Sequence, residues 1–382
     1  MKCPKCGMEL KGSVCTYCNY DTNSPKKDGS SKVFYVLLAI ITVIISLGGS
    51  YLIITNNKVI PSKETKVVDY SNVSIKEEGI SASVLKVYDA VVVVKTYVKD
   101  TLYATGTGFV LKEDDKYGYI LTNYHVIEDG SNFKVRFTND EEVEATLVGG
   151  DSYSDVAILK VDKQYILTVA NIGSSNDSLV GDTVFTVGSP IDADVYSWSV
   201  TRGILSGKDR IVEVKTERDS TVMNVLQTDA SINSGNSGGP LCNVNGEVIG
   251  ITNMKLNSSY ASGMGFAIPI EVALEYADNF ISGKPIVRPY LGIAMYDLST
   301  SFFAREEGIY IREVEPNSPA DKAGLKKGDI IIKIDGKDTT SVGYLRYYLY
   351  KHKVSDIIEV TYKRDSKEET TKVTLGSYDI RS

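Results

Sequence analysis

Three short motifs carry the residues best suited to acid–base and nucleophilic chemistry. His125, one of only two histidines, stands in Thr-Asn-Tyr-His-Val, Asp155 precedes the run Val-Ala-Ile-Leu, and Ser237 stands in Gly-Asn-Ser-Gly-Gly-Pro. A serine hydroxyl is a weak nucleophile at neutral pH, so it needs a histidine to take its proton and an acid to orient that histidine. The order His, Asp, Ser therefore indicates acyl-transfer chemistry.

Each motif alone has a simpler explanation. A lone histidine after a strand is usually structural, an aspartate often begins a strand, and glycines around a serine are typical of a turn. Together, however, they predict a serine hydrolase with His125, Asp155 and Ser237 as its catalytic residues. The backbone N–H groups of Gly235 and Ser237, with Asn236 between them, would bind the oxyanion, and glycine lets the backbone approach a substrate closely.

The residues before Ser237 bear on substrate choice. Ser231, six positions ahead of it, carries no charge, and Ile232 comes next. We therefore expect an apolar pocket that accepts small aliphatic side chains such as valine, alanine or isoleucine. Cys242, five positions after Ser237, is expected to be a small buried hydrophobic residue.

The other four cysteines form two Cys-x-x-Cys pairs near the N-terminus. They are Cys3, Cys6, Cys15 and Cys18. Two such pairs supply four thiolates for a closed, tetrahedral structural zinc site, and two disulfides or free thiols are the alternatives. Residues 1–24 are thus predicted to form a small zinc ribbon, in which Asn19 stands where glycine is usual.

Residues 33–54 form a run of 22 residues without Asp, Glu, Lys or Arg. At ~1.5 Å per residue a helix of this length reaches about 33 Å, enough to cross a hydrocarbon core of ~30 Å. A core helix is rarely apolar on every face over this length, and the apolar part of a cleaved signal peptide has only ~7 to 15 residues. We therefore predict one uncleaved transmembrane helix, followed by a flexible linker at 55–80.

The cysteines also predict the orientation of this span. Thiolates persist in a reducing compartment, so the N-terminus should face the cytoplasm and everything after the span should lie outside it. The basic residues do not decide between the orientations, since three lysines lie close to the span on each side. The predicted location is the cell membrane, crossed once.

Composition limits the remaining part of the chain. With 382 residues and a hydrophobic fraction of 42%, the chain can form two or three domains with cores of their own. The net charge is −7, and residues 81–382 are acidic, so no nucleic-acid surface is expected. Short β-branched runs predict a mainly β fold, while helical spacing at Val84, Val87, Tyr88 and Val91 and again from Ile270 to Ile281 predicts flanking helices.

Longer stretches surround the candidate residues, namely TNYHV, SDVAILKV, GDTVFTVGSP, QTDASINSGNSGGPL and GMGFAIP. They resemble the HtrA (DegP/DegS) family of serine proteases with a trypsin-like fold. The resemblance implies a protease domain at 81–283 with two six-stranded β-barrels, the triad in the cleft between them, no catalytic cofactor, and a homotrimer. Residues 188–203 and 206–224 match regulatory loops. The sequence departs from the family pattern at Tyr124, Trp198, Arg202 and Ser234.

Residues 288–378 have a different pattern, with short strands and a helix predicted near 342–350. The segment resembles a bacterial PDZ domain, an α+β fold that binds an extended C-terminal peptide as an added strand. By that resemblance the carboxylate-binding loop comprises Tyr290, Leu291, Gly292 and Ile293. The helix would form the other side of the groove with three residues that share one apolar face, Val342, Leu345 and Leu349.

The sequence thus predicts a membrane-anchored serine endopeptidase that cleaves misfolded or regulatory proteins outside the cytoplasm and is gated by its PDZ domain. Two other hypotheses stay open. One is a chaperone or adaptor with a vestigial triad, and the other is a zinc-ribbon signalling receptor with a protease-derived sensor. The complete set of His125, Asp155 and Ser237 counts against the chaperone.

Overall fold

The computed structural model describes residues 1–23, 79–189, 197–215, 220–253, 263–298 and 308–380. The chain divides into two compact units, Met1–Ile75 and Lys76–Ser382. The predicted span at 33–54 lies outside the described residues. Among the helices that are described, none is both long enough and apolar enough to cross a membrane.

Six antiparallel strands form the first barrel of the second unit. A helix, α1 (Ile80–Val87), precedes them, and a short helix, α2 (Tyr124–Ile127), follows the third strand. The strands close in the order β1-β2-β3-β6-β5-β4. Their bounds are β1 Val91–Val98, β2 Thr101–Glu113, β3 Tyr117–Thr122, β4 Asn132–Arg136, β5 Glu142–Asp151 and β6 Val156–Asp162.

A second six-stranded barrel follows and confirms the predicted double barrel. Its strands close in the order β10-β11-β12-β9-β8-β7. A helix, α3 (Ile270–Ile281), then packs on strands of both barrels. The strand bounds are β7 Thr183–Gly188, β8 Ser199–Lys215, β9 Ser220–Thr228, β10 Pro240–Asn243, β11 Val248–Thr252 and β12 Gly265–Pro269.

The largest hydrophobic cluster lies between the two barrels. Strand β1 shows why, because Val91 joins a cluster with residues of both barrels whereas Val92 and Val94 face the interior of the first barrel. A strand buried on both faces needs consecutive apolar residues rather than an alternating pattern. Cys242 belongs to the same cluster and is 0% exposed, so its prediction as a buried hydrophobic residue is confirmed.

The flanking helices follow the predicted spacing only in part. Helix α3 has the predicted bounds and buries Ala273, Ala277 and Phe280. The helical face predicted to reach Val91 is wrong, because α1 ends at Val87 and Val91 begins β1. Four successive valines favour extended backbone, and they pair with β2 instead of continuing the helix.

The C-terminal segment forms a small α+β unit. Strand β13 pairs with β20, and a second sheet has the order β14-β15-β16-β18-β19 with β17 paired to β16. The helix predicted near 342–350 is confirmed as α5. The bounds are β13 Ile286–Tyr290, β14 Ile293–Asp297, β15 Ile309–Val314, α4 Pro319–Lys322, β16 Ile330–Ile334, β17 Lys337–Asp338, α5 Val342–Leu349, β18 Ile357–Arg364, β19 Lys367–Thr374 and β20 Gly376–Ile380.

Candidate functional site

Strand pairing in the first barrel brings His125 and Asp155 together. Strand β3 ends just before His125 and β6 begins just after Asp155, and Thr122 pairs with Ala157 across these strands. The Nδ1 of His125 lies 2.7 Å from Oδ2 of Asp155, and the backbone N–H of His125 donates to Oδ1 at 2.9 Å. With Nδ1–H donating to the carboxylate, Nε2 of the neutral ring is the proton acceptor.

Asp155 is buried and surrounded by donors. It is 2% exposed, and its φ of +54° lies in a region that residues other than glycine seldom adopt. The Nδ2 of Asn253 donates to its Oδ2 at 2.7 Å, and the Nδ2 of Asn123 donates to its backbone carbonyl at 2.9 Å. A buried carboxylate needs such partners because it has lost its water. Both barrels therefore hold this one side chain.

The sequence prediction did not include these two asparagines. Asn123 and Asn253 are both fully buried, and each follows a threonine that ends a buried strand. The signal was a Thr-Asn dipeptide after an apolar run, repeated once in each barrel. A polar residue at such a position must find hydrogen bonds inside the protein.

Ser237 lies on a turn that docks onto the first barrel. The backbone N–H of Thr107 donates to the carbonyl of Ser237 at 2.8 Å. A Cβ added to Gly106 would lie 2.6 Å from Val126 and 3.2 Å from that same carbonyl oxygen. Val126 directly follows His125, so Gly106 lies between the segment that carries His125 and the turn that carries Ser237. The space there is too small for a side chain at position 106. The turn that carries Ser237 therefore packs against the segment that carries His125.

The turn before Ser237 presents its backbone rather than its side chains. Gly235 has a φ of +97°, and its carbonyl accepts a hydrogen bond from the Thr107 hydroxyl at 2.6 Å. In the described part of the chain, nothing accepts a hydrogen bond from the N–H of Gly235. The N–H of Asn236 donates to Asn233 at 3.0 Å, and its side chain is fully buried. Of these two amides, that of Gly235 is therefore the one left for an oxyanion.

The two predicted pocket residues have different surroundings. Ser231 is exposed, and its carbonyl accepts a hydrogen bond from the Thr201 hydroxyl at 2.9 Å. Ile232 is 5% exposed, and a Cβ added to Gly265 would lie 2.8 Å from its Cδ1. The side chain of Ile232 thus fills the space beside Gly265.

The predicted peptide-binding loop joins β13 to β14. Leu291 is buried, and its carbonyl accepts a hydrogen bond from the N–H of Ala320 at 2.9 Å. Gly292 has a φ of +79°, and its carbonyl accepts from the N–H of Glu315 at 2.9 Å. Tyr290 donates its hydroxyl to the Glu315 carboxylate. Ile293 then begins β14, which lies at the edge of its sheet.

Helix α5 has two buried faces. Val342, Leu345 and Leu349 share one face of the helix, and this face lies in the core of the C-terminal unit. That the same face lines the peptide groove stays a prediction. The opposite side of the helix packs against β9 of the second barrel. In addition, Ser341 at its N-terminus hydrogen-bonds to Glu213 on β8. The helix predicted to line the peptide groove thus also contacts the long β8–β9 hairpin.

The four N-terminal cysteines lie together in the first unit. Their Sγ atoms all lie within 4.8 Å of one another. The Sγ atoms of Cys3 and Cys18 lie 3.7 Å apart and those of Cys6 and Cys15 lie 3.6 Å apart, and all four cysteines are free thiols. Sulfur atoms ~2.3 Å from one tetrahedral zinc ion are about 3.8 Å apart, whereas a disulfide needs ~2.0 Å. The donor set therefore fits zinc.

Each cysteine pair lies on a tight turn. The N–H of Gly7 donates to the carbonyl of Cys3 at 2.9 Å, and that of Asn19 donates to Cys15 at 2.8 Å. Gly7 and Asn19 have φ values of +75° and +55°, and asparagine tolerates this conformation, so Asn19 serves where glycine is usual. A hydrogen bond from the backbone of Tyr17 is the main cause that lowers the pKa of the Cys15 thiol to about 6, whereas a hydrogen bond with the Cys6 side chain is the main cause that raises the pKa of Cys18 to about 12.

Comparison with known proteins supports both domains. Residues 106–251 match the model of a trypsin-like peptidase domain, and residues 289–375 match that of a PDZ domain. The chain is 42% identical to the serine protease Do-like HtrA of Bacillus subtilis, over 74% of this chain and 66% of that protein. It is 38% identical to a probable periplasmic serine endoprotease, DegP-like, of Ectopseudomonas mendocina, over 71% of this chain and 56% of that protein.

Solved structures agree with these relatives. The serine endoprotease from Yersinia pestis superposes with a TM-score of 0.57 at 32% identity, and the match covers 79% of this chain and 98% of that one. The chain spans less than two thirds of the length of the relative from Bacillus subtilis, and also of the relative from Ectopseudomonas mendocina. It carries the double barrel and the PDZ domain in the same order that the sequence predicts. This chain therefore belongs to the HtrA family of serine proteases.

Proposed function

We propose that this protein is a serine endopeptidase that cleaves misfolded or regulatory proteins, with a protease domain at 81–283. Ser237 is the nucleophile, His125 the general base, and Asp155 the residue that orients the base. The observation that carries the proposal is the 2.7 Å hydrogen bond between Nδ1 of His125 and the buried carboxylate of Asp155. It leaves Nε2 to accept the proton of the serine hydroxyl.

The reaction proceeds in two acyl transfers. The Oγ of Ser237 attacks the carbonyl carbon of the substrate while Nε2 of His125 takes the hydroxyl proton. The resulting oxyanion is bound by the backbone N–H groups of Gly235 and Ser237, with Asn236 held between them. His125 then gives its proton to the leaving amine, and water activated by the same nitrogen hydrolyses the acyl-enzyme. His125 mediates each proton transfer in these two steps.

The specificity pocket selects small aliphatic side chains. Ser231 contributes no charge, and Ile232 contributes an apolar wall beside Gly265. An apolar pocket of limited depth favours valine, alanine or isoleucine over larger or charged side chains.

The PDZ domain, at 288–378, binds C-terminal peptides, including those of protein substrates, and regulates the protease. Strand β14 has an edge to which a peptide strand can pair, and the loop of Tyr290, Leu291, Gly292 and Ile293 lies at its start. The helix with Leu345 and Leu349 contacts the β8–β9 hairpin of the protease domain, which gives the groove a route to the second barrel. By family resemblance the protein is a homotrimer.

The N-terminal residues 1–24 form a zinc ribbon without a catalytic role. Four thiolates at Cys3, Cys6, Cys15 and Cys18 would fill all positions of a tetrahedral ion and leave none for substrate. Zinc would stabilise this small unit, whose size gives it little core of its own.

The protein is anchored in the cell membrane by residues 33–54, with the N-terminus in the cytoplasm and the protease domain outside. The apolar run and the reducing environment that thiolates need support this placement. The relative from Ectopseudomonas is described as periplasmic, which agrees with a protease domain outside the cytoplasm.

The catalytic roles predict large losses on substitution. Ser237→Ala or His125→Ala should lower turnover of unfolded casein on the order of 10⁶-fold, and Asp155→Asn about 10⁴-fold, while each variant still folds. Fragments from the wild-type digest, sequenced by mass spectrometry, should end in valine, alanine or isoleucine. Digestion by purified Ser237→Ala at the wild-type rate would show that another residue is the nucleophile.

Peptide binding at the PDZ domain should raise the protease rate. A free peptide with an apolar C-terminal residue should increase the initial rate on a short chromogenic substrate that cannot reach the groove, and its amidated form should bind more weakly because the carboxylate loses its charge. Ile293→Asp should abolish the increase, whereas Ile357→Asp, at a position 66% exposed, is the matched control. A flat rate at saturating peptide would limit the domain to tethering substrate.

The purified full chain should contain one zinc ion per molecule under reducing conditions. Cys15→Ser should lose the metal, while Cys242→Ala should keep it, since Cys242 lies buried in the protease domain. Elemental analysis measures both. Cleavage of a short peptide by the Cys15→Ser variant should match the wild type, because the site is structural. A wild-type protein that contains no zinc under these conditions would contradict the assignment of residues 1–24 as a zinc ribbon.

The proposed topology predicts one-sided access. In right-side-out vesicles, an added protease should digest residues 81–382 and leave an N-terminal epitope tag intact. Inverted vesicles are the control and should give the opposite pattern. Protection of both ends in right-side-out vesicles would place the whole chain inside the cell.

A further inference from the structure

Arg288 lies at the junction of the protease and PDZ domains. It belongs to β13 and is buried, although arginine is almost never buried without a partner. Its Nη2 donates to Oδ2 of Asp151 at 2.6 Å, and the two side chains are 8% and 4% exposed. A buried charge pair of this kind is costly to break, because each group would be left without water or a counter-ion.

Three tyrosine rings enclose the guanidinium of Arg288. Its Cζ lies 4.8 Å from the ring centroid of Tyr153, 5.9 Å from that of Tyr276 and 5.1 Å from that of Tyr350. Tyr153 follows β5, Tyr276 lies on α3, and Tyr350 caps the PDZ helix α5. Tyr153 and Tyr350 also contact each other edge-on at 4.7 Å. These three tyrosines form a cage around Arg288 that connects the protease domain with the PDZ domain.

The partner of Arg288 closes the turn that ends at Asp155. The same Oδ2 of Asp151 accepts a hydrogen bond from the backbone N–H of Ser154 at 2.7 Å. Asp155 follows directly, with its φ of +54°. A residue in such a conformation keeps it only while its surroundings impose it, so the turn determines where the Asp155 carboxylate lies.

We infer that Arg288 is a positioning residue for the triad, which holds Asp155 in line with His125 through Asp151 and makes that alignment depend on the placement of the PDZ domain through Tyr350. The inference rests on the proposed catalytic role of Asp155. Arg288 itself contacts neither substrate nor the reacting atoms. Its effect is on the geometry of the base, where a displacement of about 1 Å can cost on the order of 10²-fold in rate.

A cavity next to the cage allows the PDZ domain to act on it. The cavity has a volume of about 180 Å³ and lies between β9, α3 and α5, with Tyr153 and Tyr350 in its wall. Close-packed interiors resist small displacements, whereas a pocket that opens to solvent on one side leaves a ring room to move. A shift of α5 can therefore move the Tyr350 ring without first breaking a packed core.

The test compares turnover with substrate affinity in the full-length protein. Arg288→Met should lower kcat for a short valine anilide about 10- to 100-fold and leave KM within about twofold, because the pocket at Ile232 lies in the other barrel. Arg288→Lys should recover part of the loss, since it keeps the charge but not the planar group that stacks on tyrosine. Titration with a small fluorophosphonate counts the reactive sites, so kcat refers to folded enzyme only.

A double-mutant cycle separates positioning from general stabilisation. Asp151→Asn keeps an oxygen for Ser154 but leaves Arg288 without its counter-ion, and it should reduce kcat as Arg288→Met does. The double variant should be no slower than either single one, because the pair acts as a unit. Arg364→Met is the matched control, since Arg364 forms a two-pronged pair with buried Asp329 inside the PDZ domain. It should lower the thermal midpoint and leave kcat unchanged.

The outcomes distinguish this inference from the proposed function. If Ser237→Ala retains activity and fluorophosphonate labelling, the catalytic assignment fails. If Ser237 is the nucleophile but Arg288→Met lowers only the thermal midpoint, or if the Arg288 and Asp151 effects on kcat simply add, Arg288 is a structural residue and the inference is wrong. Tyr350→Leu, which removes only the PDZ ring, should reduce kcat less than Arg288→Met. If Tyr350→Leu leaves kcat unchanged, the alignment of the triad does not depend on the PDZ domain through Tyr350.

Discussion

The buried carboxylate of Asp155 sets the main constraint on this structure. At 2% exposure it has almost no water, so its oxygens must find donors within the protein. His125 supplies two of them from the first barrel and Asn253 supplies one from the second. Neither barrel alone can satisfy the group, and the large apolar cluster between the barrels holds them at the distance that this requires. Burial of a charge and closure of the interface thus depend on each other.

Much of this arrangement could be predicted from sequence because the signals are local. The motifs around His125, Asp155 and Ser237 are short, continuous stretches of sequence, and β-branched runs mark strands that are buried on both faces. Asn253 was missed because an asparagine gives no sign of its partner, which stands 98 positions away. The end of α1 was misplaced because four valines fit either a helical face or a strand, and only pairing with β2 decides.

The PDZ helix makes two contacts, one with the core of its own domain and one with the protease domain, and only the first could be predicted from its sequence. Its apolar face, with Leu345 and Leu349, follows helical spacing and was predicted for that reason. Its tyrosine-rich face meets the protease domain, and no periodicity identifies a contact with a partner so distant in the chain. Arg288 is a similar case, because its ion pair with Asp151 spans 137 positions. Contacts between domains therefore had to come from the structure.

The burial of Cys242 has a consequence for the chemistry of the whole chain. Of the five cysteines, the other four stand in the N-terminal unit. Cys242 is 0% exposed, and burial raises the pKa of its thiol, so it offers almost no thiolate to an oxidant. The protease and PDZ domains, which contain Cys242 as their one cysteine, consequently hold together without a disulfide and without a reactive thiol. Thiol oxidation is therefore confined to the four N-terminal cysteines.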